Sequence, residues 1–562
     1  MRFGETRNLT WTLVLLLAGA AMMTALLALV PAAGHDQLWF LLMAKRWLAG
    51  AHLYGEEVFD SNPPMVVWLS AVPVWLGEHG GVTAPLVSKW LVVLLDAVVA
   101  VFALKALELS AGPVRANARL WLGFGFVVIF GAVQARDFGQ RDALTGLLLL
   151  PYVLSCAAWL HGGVRAKTVV VLRILAVLFA TLGMCLKVQL AVVPLALEAA
   201  LLLRALRTKG SRAAWLLRPE PWLLAIGGVT YVYAIRSLTP LYLRHALPLN
   251  LLTYWAIGHL TPVELFVEAI GMHVLLAMTL ASVRMERKRQ SRFAPAITML
   301  TLAGLAATVA YYVQGTGWYY QQLPAISFFA GAVVLQFLSL GERGYARRQE
   351  RLTAQGIAEV REDLPVAFPL ATAGLVLLAC GLTIHFAGFG FTPSGFDADH
   401  TFQITQPDPR FFAKLAPGTS VAILTTSVDD AMMPIERYHL EWAQHMNNLW
   451  LLPALLRASD PQPGDWPVPK RHQMTEEQSE RLYLEITSGE ALDLERWEPQ
   501  LVLAARCHDP NYQCQELEGR HDSLVSFLLT SDQFADQWRH YHYVRSIGMY
   551  DEYVRIDSGA RD

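Results

Sequence analysis

The chain reads as a polytopic α-helical membrane protein with about eleven transmembrane helices and a C-terminal extracytoplasmic domain of mixed α/β character. Three observations predict this. Of 562 residues, 54% are hydrophobic and 16% charged, where a soluble chain carries about 25% charged residues. Apolar runs near or above roughly 18 residues, enough to cross a bilayer as helix, recur from residue 11 to residue 388. Beyond that point the composition becomes polar and rich in turn formers, as in ASDPQPGDWPVP at 458–469.

The first apolar run, 11–31, precedes small residues Ala32 and Ala33. It exceeds the roughly 7–15 residues of a signal-peptide core, and many spans follow, so it reads as a retained helix. Further helices are expected at 84–106, 119–135, 143–160, 168–185, 189–204, 221–237, 262–282, 293–313, 324–340 and 364–388. The run 65–77 is too short to span and follows Pro63-Pro64. It reads as an interfacial or re-entrant helix inside one long external loop, 32–83.

With that assignment the basic residues separate by side. Arg2, Arg7, Arg115, Arg119, Arg165, Lys167, the Arg204–Arg218 group, the Arg284–Arg292 cluster and Arg343–Arg361 fall on one face. The opposite loops hold only Lys45, Arg46, Arg136, Arg141, Lys187, Arg236 and Arg244. The positive-inside rule then puts the N-terminus in the cytoplasm and the sparse loops outside. Residues 1–388 form the membrane domain. An odd span count places 389–562 outside, in the periplasm if the membrane is a bacterial inner membrane. A β-like run at 420–425 and helical patterns at 475–488 and 522–529 mark that region as a folded domain. Five cysteines are too few for a disulfide framework; only Cys507 and Cys514, in the polar region, are placed to pair in an oxidising compartment. The chain has no internal repeat and no Walker-type glycine loop, so nothing in it supports ATP-driven transport.

The external loops carry the unusual polar residues. Asp36, Tyr54, Asp60 and Asn62 come from the first. ARDFGQRDAL supplies Arg136, Asp137, Gln140, Arg141 and Asp142 from the second. Lys187 interrupts an apolar stretch, Tyr242, Arg244, His245 and His259 lie among aromatics, and QGTGWYYQQLP supplies Trp318, Tyr319, Tyr320 and Gln321. Each has a structural reading: ion pairs fixing helix ends, a snorkelling lysine, an aromatic belt, caps before Pro63. The functional reading is a site at the outer boundary that joins a lipid-linked anion to an acceptor. A carboxylate serves as general base, and buried cations meet the charge that grows on a departing phosphate.

Four segments resemble the GT-C superfamily of integral-membrane glycosyltransferases, which contains the protein O-mannosyltransferases and the lipid A aminoarabinose transferase. Asp36-Gln37 and the following KRWLAGAHLY run, with Asn62-Pro63-Pro64, is similar to that family's first-loop acid and Pro-Pro segment. FGQRDAL at 138–144 looks like its second-loop motif, Leu186-Lys187 like its helix-end lysine, and WYYQQLP at 318–324 like its aromatic–Leu-Pro step. Gln37 stands where the family often has Glu, and Met65 where it has Leu. The resemblance covers residues 1–340 in order and spacing.

The resemblance implies inverting transfer of a sugar from a polyprenyl-phosphate donor on the external face. Asp36 would be the general base or acceptor-orienting acid, and Asp142 would organise the acceptor or the catalytic carboxylate. Lys187 and Arg141, with Arg244 and His259, would hold the donor phosphate. Tyr54, Tyr319 and Tyr320 would line the sugar or lipid cleft, which Asp60, Asn62 and Gln321 share. Many members need no metal; a divalent ion between carboxylates stays open. The acceptor is a glycan, a lipid or a protein, membrane lipids are the surroundings, and no nucleic acid is expected. A flippase or transporter for lipid-linked sugars and a polysaccharide polymerase or ligase are the competing readings. Intramembrane charges of transporters sit near the midplane, whereas these lie at one face.

Overall fold

The computed structural model describes residues 34–134, 137–160, 167–207, 215–257, 260–355, 409–427, 432–462, 468–512, 514, 517 and 520–556. The helices expected at 11–31 and 364–388, and the residues Arg136 and His259, lie outside the described residues. In chain order the helices are α1 (His35–Leu48), α2 (Met65–Gly80), α3 (Ala84–Ala111), α4 (Ala116–Val127), α5 (Arg141–Trp159), α6 (Lys167–Leu186), α7 (Val192–Arg207), α8 (Pro219–Leu238), α9 (Leu247–Thr253), α10 (Pro262–Glu268), α11 (Ile270–Lys288), α12 (Ala294–Gln314) and α13 (Tyr319–Ala354). Two internal contact units emerge. One draws on Ser88–Val232 and Leu260–Phe391, the other on Ala32–Val87, Tyr233–His259 and Thr392–Asp562.

The nine runs expected as spans between residues 84 and 340 each overlap helix, but the count of about eleven spans is not confirmed. Among the described residues, five helices are long and apolar enough to cross a membrane, and six if a bent pair counts as one span. That pair corrects the expected continuous helix 262–282. The chain leaves helical geometry at Ala269 (φ −108°, ψ 27°), and α10 meets α11 at 81°. Thr261 and Glu264 form a capping box that starts α10 independently. α2 is 16 residues with Pro73 inside it and is not among the span-length helices.

The helical unit has its core in α5, α12 and α13, whose faces are buried almost all round. A helix apolar on every side belongs in the middle of a bundle. α7, α8 and α11 leave large apolar residues such as Leu195, Val229 and Val274 exposed, as lipid-facing helices do.

The second unit contains a five-stranded sheet in the order β2-β1-β3-β5-β4. Its members are β1 (Ser420–Leu424), β2 (Glu441–Trp442), β3 (Leu501–Ala505), β4 (Tyr541–Ile547) and β5 (Tyr550–Arg555). β1 pairs in parallel with β2 and β3, while β5 runs antiparallel to β3 and to β4. β3, LVLAA, is buried at every position, as expected of a central strand covered on both faces. The helices of this region are α14 (Met432–Arg437), α15 (Leu452–Ser459), α16 (Glu476–Trp497), α17 (Leu524–Leu528) and α18 (Asp532–Trp538). α16 starts with a Thr475–Gln478 capping box and runs nine residues beyond the 488 expected. Cys507 and Cys514 are joined by a disulfide, a covalent tie suited to an oxidising compartment.

Candidate active site

In the helical unit the site grows from three helix ends. Gln140, in extended geometry, caps α5 by accepting from the Arg141 amide. Asp142 therefore lies in the first turn, where the helix dipole favours a carboxylate. At the end of α6 the chain turns extended at Lys187 (φ −137°, ψ 92°) and continues into a 3₁₀ turn, Val188–Ala191. Thr145 Oγ1 donates to the Arg141 carbonyl at 2.8 Å and approaches the Gly183 carbonyl at 3.2 Å. A Cβ on Gly183 would stand 3.2 Å from Leu148 Cβ, so glycine lets α6 close on α5 there. The result is an ion pair, Lys187 Nζ to Asp142 Oδ2, at 3.2 Å, with side chains only 5% and 1% exposed.

Two other buried carboxylates of the unit are held by directed bonds. Glu198 accepts from Trp215 and twice from Arg218, besides Tyr152, and Glu286 accepts from Gln336, Ser339 and Arg343. Asp142 has its ion pair but no hydrogen bond to either oxygen among the described residues. The 3.2 Å approach of Lys187 brings charges together without hydrogen-bond alignment. A buried carboxylate left that way is costly. Arg141 beside it is also buried.

α13 contributes the third side. Lys187 Nζ stands 5.9 Å from the Tyr320 ring centre, within cation–π reach. Tyr319 donates its hydroxyl proton to the Val133 carbonyl at 2.8 Å. Gln321 accepts from Thr316 at 2.6 Å, while its Nε2 is buried with no hydrogen-bond partner among the described residues. Gln322, absent from the sequence reading, is wholly buried, and its Oε1 likewise lacks a partner there. Thus Arg141, Asp142, Lys187 and Tyr320 come together, with Gln321 on the same helix turn.

The second unit holds the remaining candidates. Asp36 lies in the first turn of α1, with His35 Nε2 3.2 Å from its Oδ1. The loop behind it is tied down by directed bonds. Trp39 Nε1 donates to Asp60 Oδ2 at 2.7 Å, and the Asn62 amide donates to Asp60 Oδ1 at 2.6 Å. Tyr54, at φ 67°, is fully buried and donates from its hydroxyl to the Asn62 carbonyl at 2.7 Å. Asn250 donates to the Ser61 carbonyl. Tyr54, Asp60 and Asn62 thereby shape the approach to Pro63-Pro64. Arg244 is exposed on a π-helical turn, Tyr242–Ala246. Its neighbour His245 packs inward, 3.0 Å from the Tyr54 carbonyl and 2.8 Å from Glu485. The Glu485 hydrogen bond raises the His245 pKa above its ordinary value against the opposing effect of burial.

The residues missing from the sequence reading carry weak signals. Thr145 and Gly183 are small residues one would need to see facing each other, and Gln322 doubles a glutamine already noticed in an apolar helix. His445, Glu490 and Asp493 are spread over 48 positions.

The described residues run from a set of helices to a small five-stranded sheet. No protein-family model matches the chain, and no curated protein matches it by sequence. Its structure is similar to that of ArnT from Cupriavidus metallidurans bound to undecaprenyl phosphate. The TM-score is 0.53 at 14% identity, over 98% of each chain. The apo form of the same enzyme gives 0.50 at 13% identity over 97% of each. At that identity the likeness is one of fold.

Proposed function

We propose that the chain is an integral-membrane glycosyltransferase that moves a sugar from a polyprenyl-phosphate donor to an acceptor on the extracytoplasmic face. The observation that carries this is the buried Lys187–Asp142 pair at converging helix ends, in a chain whose fold matches ArnT from end to end. That ArnT holds undecaprenyl phosphate supports a lipid-phosphate donor here.

In the proposed reaction an acceptor oxygen attacks the anomeric carbon, and the bond from that carbon to the phosphate oxygen breaks with inversion. The acceptor proton passes to the Asp36 carboxylate. The electron pair leaves on phosphate, where Lys187 and Arg141 meet the developing charge. Asp142 orients Lys187, and Tyr320 and Gln321 border the donor. Arg244 and His259 are further phosphate contacts; Tyr54, Asp60 and Asn62 hold the first loop in shape. Tyr319 borders the cleft. No metal is assigned to this chemistry.

The proposed topology has eleven spans, a cytoplasmic N-terminus, a membrane domain 1–388, and 389–562 outside a bacterial plasma membrane. The loop-sided basic residues and the Cys507–Cys514 disulfide support it. A cysteine at exposed Glu477 should react with an impermeant thiol reagent from outside intact spheroplasts; cytoplasmic labelling would invert the scheme.

The function is tested by supplying purified protein with a polyprenyl-phosphate sugar and membrane acceptors. Release of the free lipid phosphate together with a new glycosidic product is expected. An unmodified donor that merely changes leaflet would establish a flippase instead. Glycolipid mass spectra of cells lacking the protein identify the product.

A further inference from the structure

We propose that His445, Glu490 and Asp493 form a binding site for a divalent cation of the zinc class, separate from the transfer chemistry. His445 follows β2, while Glu490 and Asp493 sit three residues apart on one face of α16. One ring nitrogen of His445 and one oxygen from each carboxylate lie within 4.8 Å of one another. Their exposures are 4%, 1% and 1%.

Two carboxylates in one dry pocket repel each other and lose hydration, so they need a compensating charge. The protein supplies part of it. Asp493 Oδ2 accepts from the His445 amide at 2.9 Å and from its ring Nδ1 at 2.6 Å, and Glu490 Oε2 accepts from Gln444 Nε2 at 2.9 Å. The other oxygens, Glu490 Oε1 and Asp493 Oδ1, are buried with no hydrogen-bond partner among the described residues. Two orphaned acceptors in the same pocket as an imidazole point to a cation. One nitrogen and two oxygen donors, without thiolate, suit zinc and its borderline neighbours.

The surroundings hold the ligands in place. A Cβ on Gly489 would stand 2.8 Å from His445 Cε1, so only glycine leaves the ring its seat. The His445 carbonyl accepts from the Phe59 amide at 2.8 Å, and Arg46 donates to the Gln444 and Trp442 carbonyls. A cation here would lock the strand-following segment 442–445 that receives both α1 and the loop behind it.

The test uses untagged full-length protein in detergent, stripped with EDTA and re-equilibrated with zinc chloride alone. Elemental analysis should find about one zinc per chain, and the thermal midpoint should rise with zinc and fall with EDTA. His445→Ala and Glu490→Gln, checked for monodispersity, should each weaken zinc binding at least about tenfold. Wild-type protein that stays zinc-free with an unmoved midpoint would overturn the proposal, leaving a proton shared by His445 and Asp493 as the whole network. Zinc retained undiminished in a folded His445→Ala variant would overturn it too. If a variant does not fold, the wild-type stoichiometry and midpoint still decide. Sugar transfer is assayed separately, so its failure is distinguishable from absence of the metal.

Discussion

Asp142 of the helical unit and Asp60 of the sheet-containing unit are held differently. In the helical unit Asp142 meets a lysine across two helix ends and has no hydrogen bond to either oxygen among the described residues. In the sheet-containing unit Asp60 is held by an indole and a backbone amide. The first acid is held by a charge at 3.2 Å, whereas the second accepts one directed bond on each oxygen. The contrast is one of bonding: one buried acid is held by a charge, the other by two directed donors.

The largest expected effect is on Asp36. Asp36→Asn should lower sugar transfer by about 10²–10⁴-fold, the usual worth of a general base, with an unchanged melting temperature. Near-normal turnover removes it from the mechanism. Next, Lys187→Met leaves Asp142 unpaired in an apolar setting and should cost about 3–5 kcal/mol of stability as well as donor affinity. Adding Asp142→Leu should recover the stability and not the affinity, measured by thermal unfolding and lipid-phosphate binding. Recovery of both would make the pair a structural clamp like Glu198–Arg218.

On the other side of the comparison, Asp60→Ala should cost about 1–3 kcal/mol through the stranded Trp39 and Asn62 donors. Donor affinity should hold, and a selective loss of it would move Asp60 into the substrate site. The smallest effect is electrostatic. His245 has a raised pKa in the folded state, so its pairing with Glu485 is fully stabilising below the ordinary histidine value of 6.5. That contribution is lost as pH rises through the raised folded value. At 23% and 25% exposure the loss should be about 1 kcal/mol or less. Unfolding midpoints across that range should slope downward for the wild type and stay flat for His245→Gln.

Much of the helical unit was legible because an apolar run near the roughly 18 residues that cross a bilayer is recognised by its length alone. The break at Ala269 was not. VELFVEAIGMHVLLAM is apolar on both sides of it, and the capping box that starts α10 stands at the edge of the same run. The sheet was harder. β1 was visible as SVAIL, but β3 is a five-residue apolar stretch that a helix core also produces. Among site residues, Lys187 was conspicuous as a charge in apolar company, and Asp142 as an acid in the polar ARDFGQRDAL just before an apolar helix. Their pairing depends on Thr145 bonding across to Gly183, 38 positions apart, which no local pattern announces. The family resemblance put Tyr54 and Asp60 in the substrate cleft. Their bonds to Asn62 and Trp39 depend on a reversed loop with a left-handed tyrosine.

The wide turn at Tyr242–Ala246 carries a consequence for sequence change in this region. A π turn holds one residue more than the α-helical turn it replaces, and each residue of an α-helix advances the phase by about 100°. Excising a single residue there would return the turn to α geometry and swing Arg244 and His245 to new azimuths relative to α9. One-residue deletions at this point should therefore exchange which side chain faces Glu485 without lengthening or breaking the backbone path.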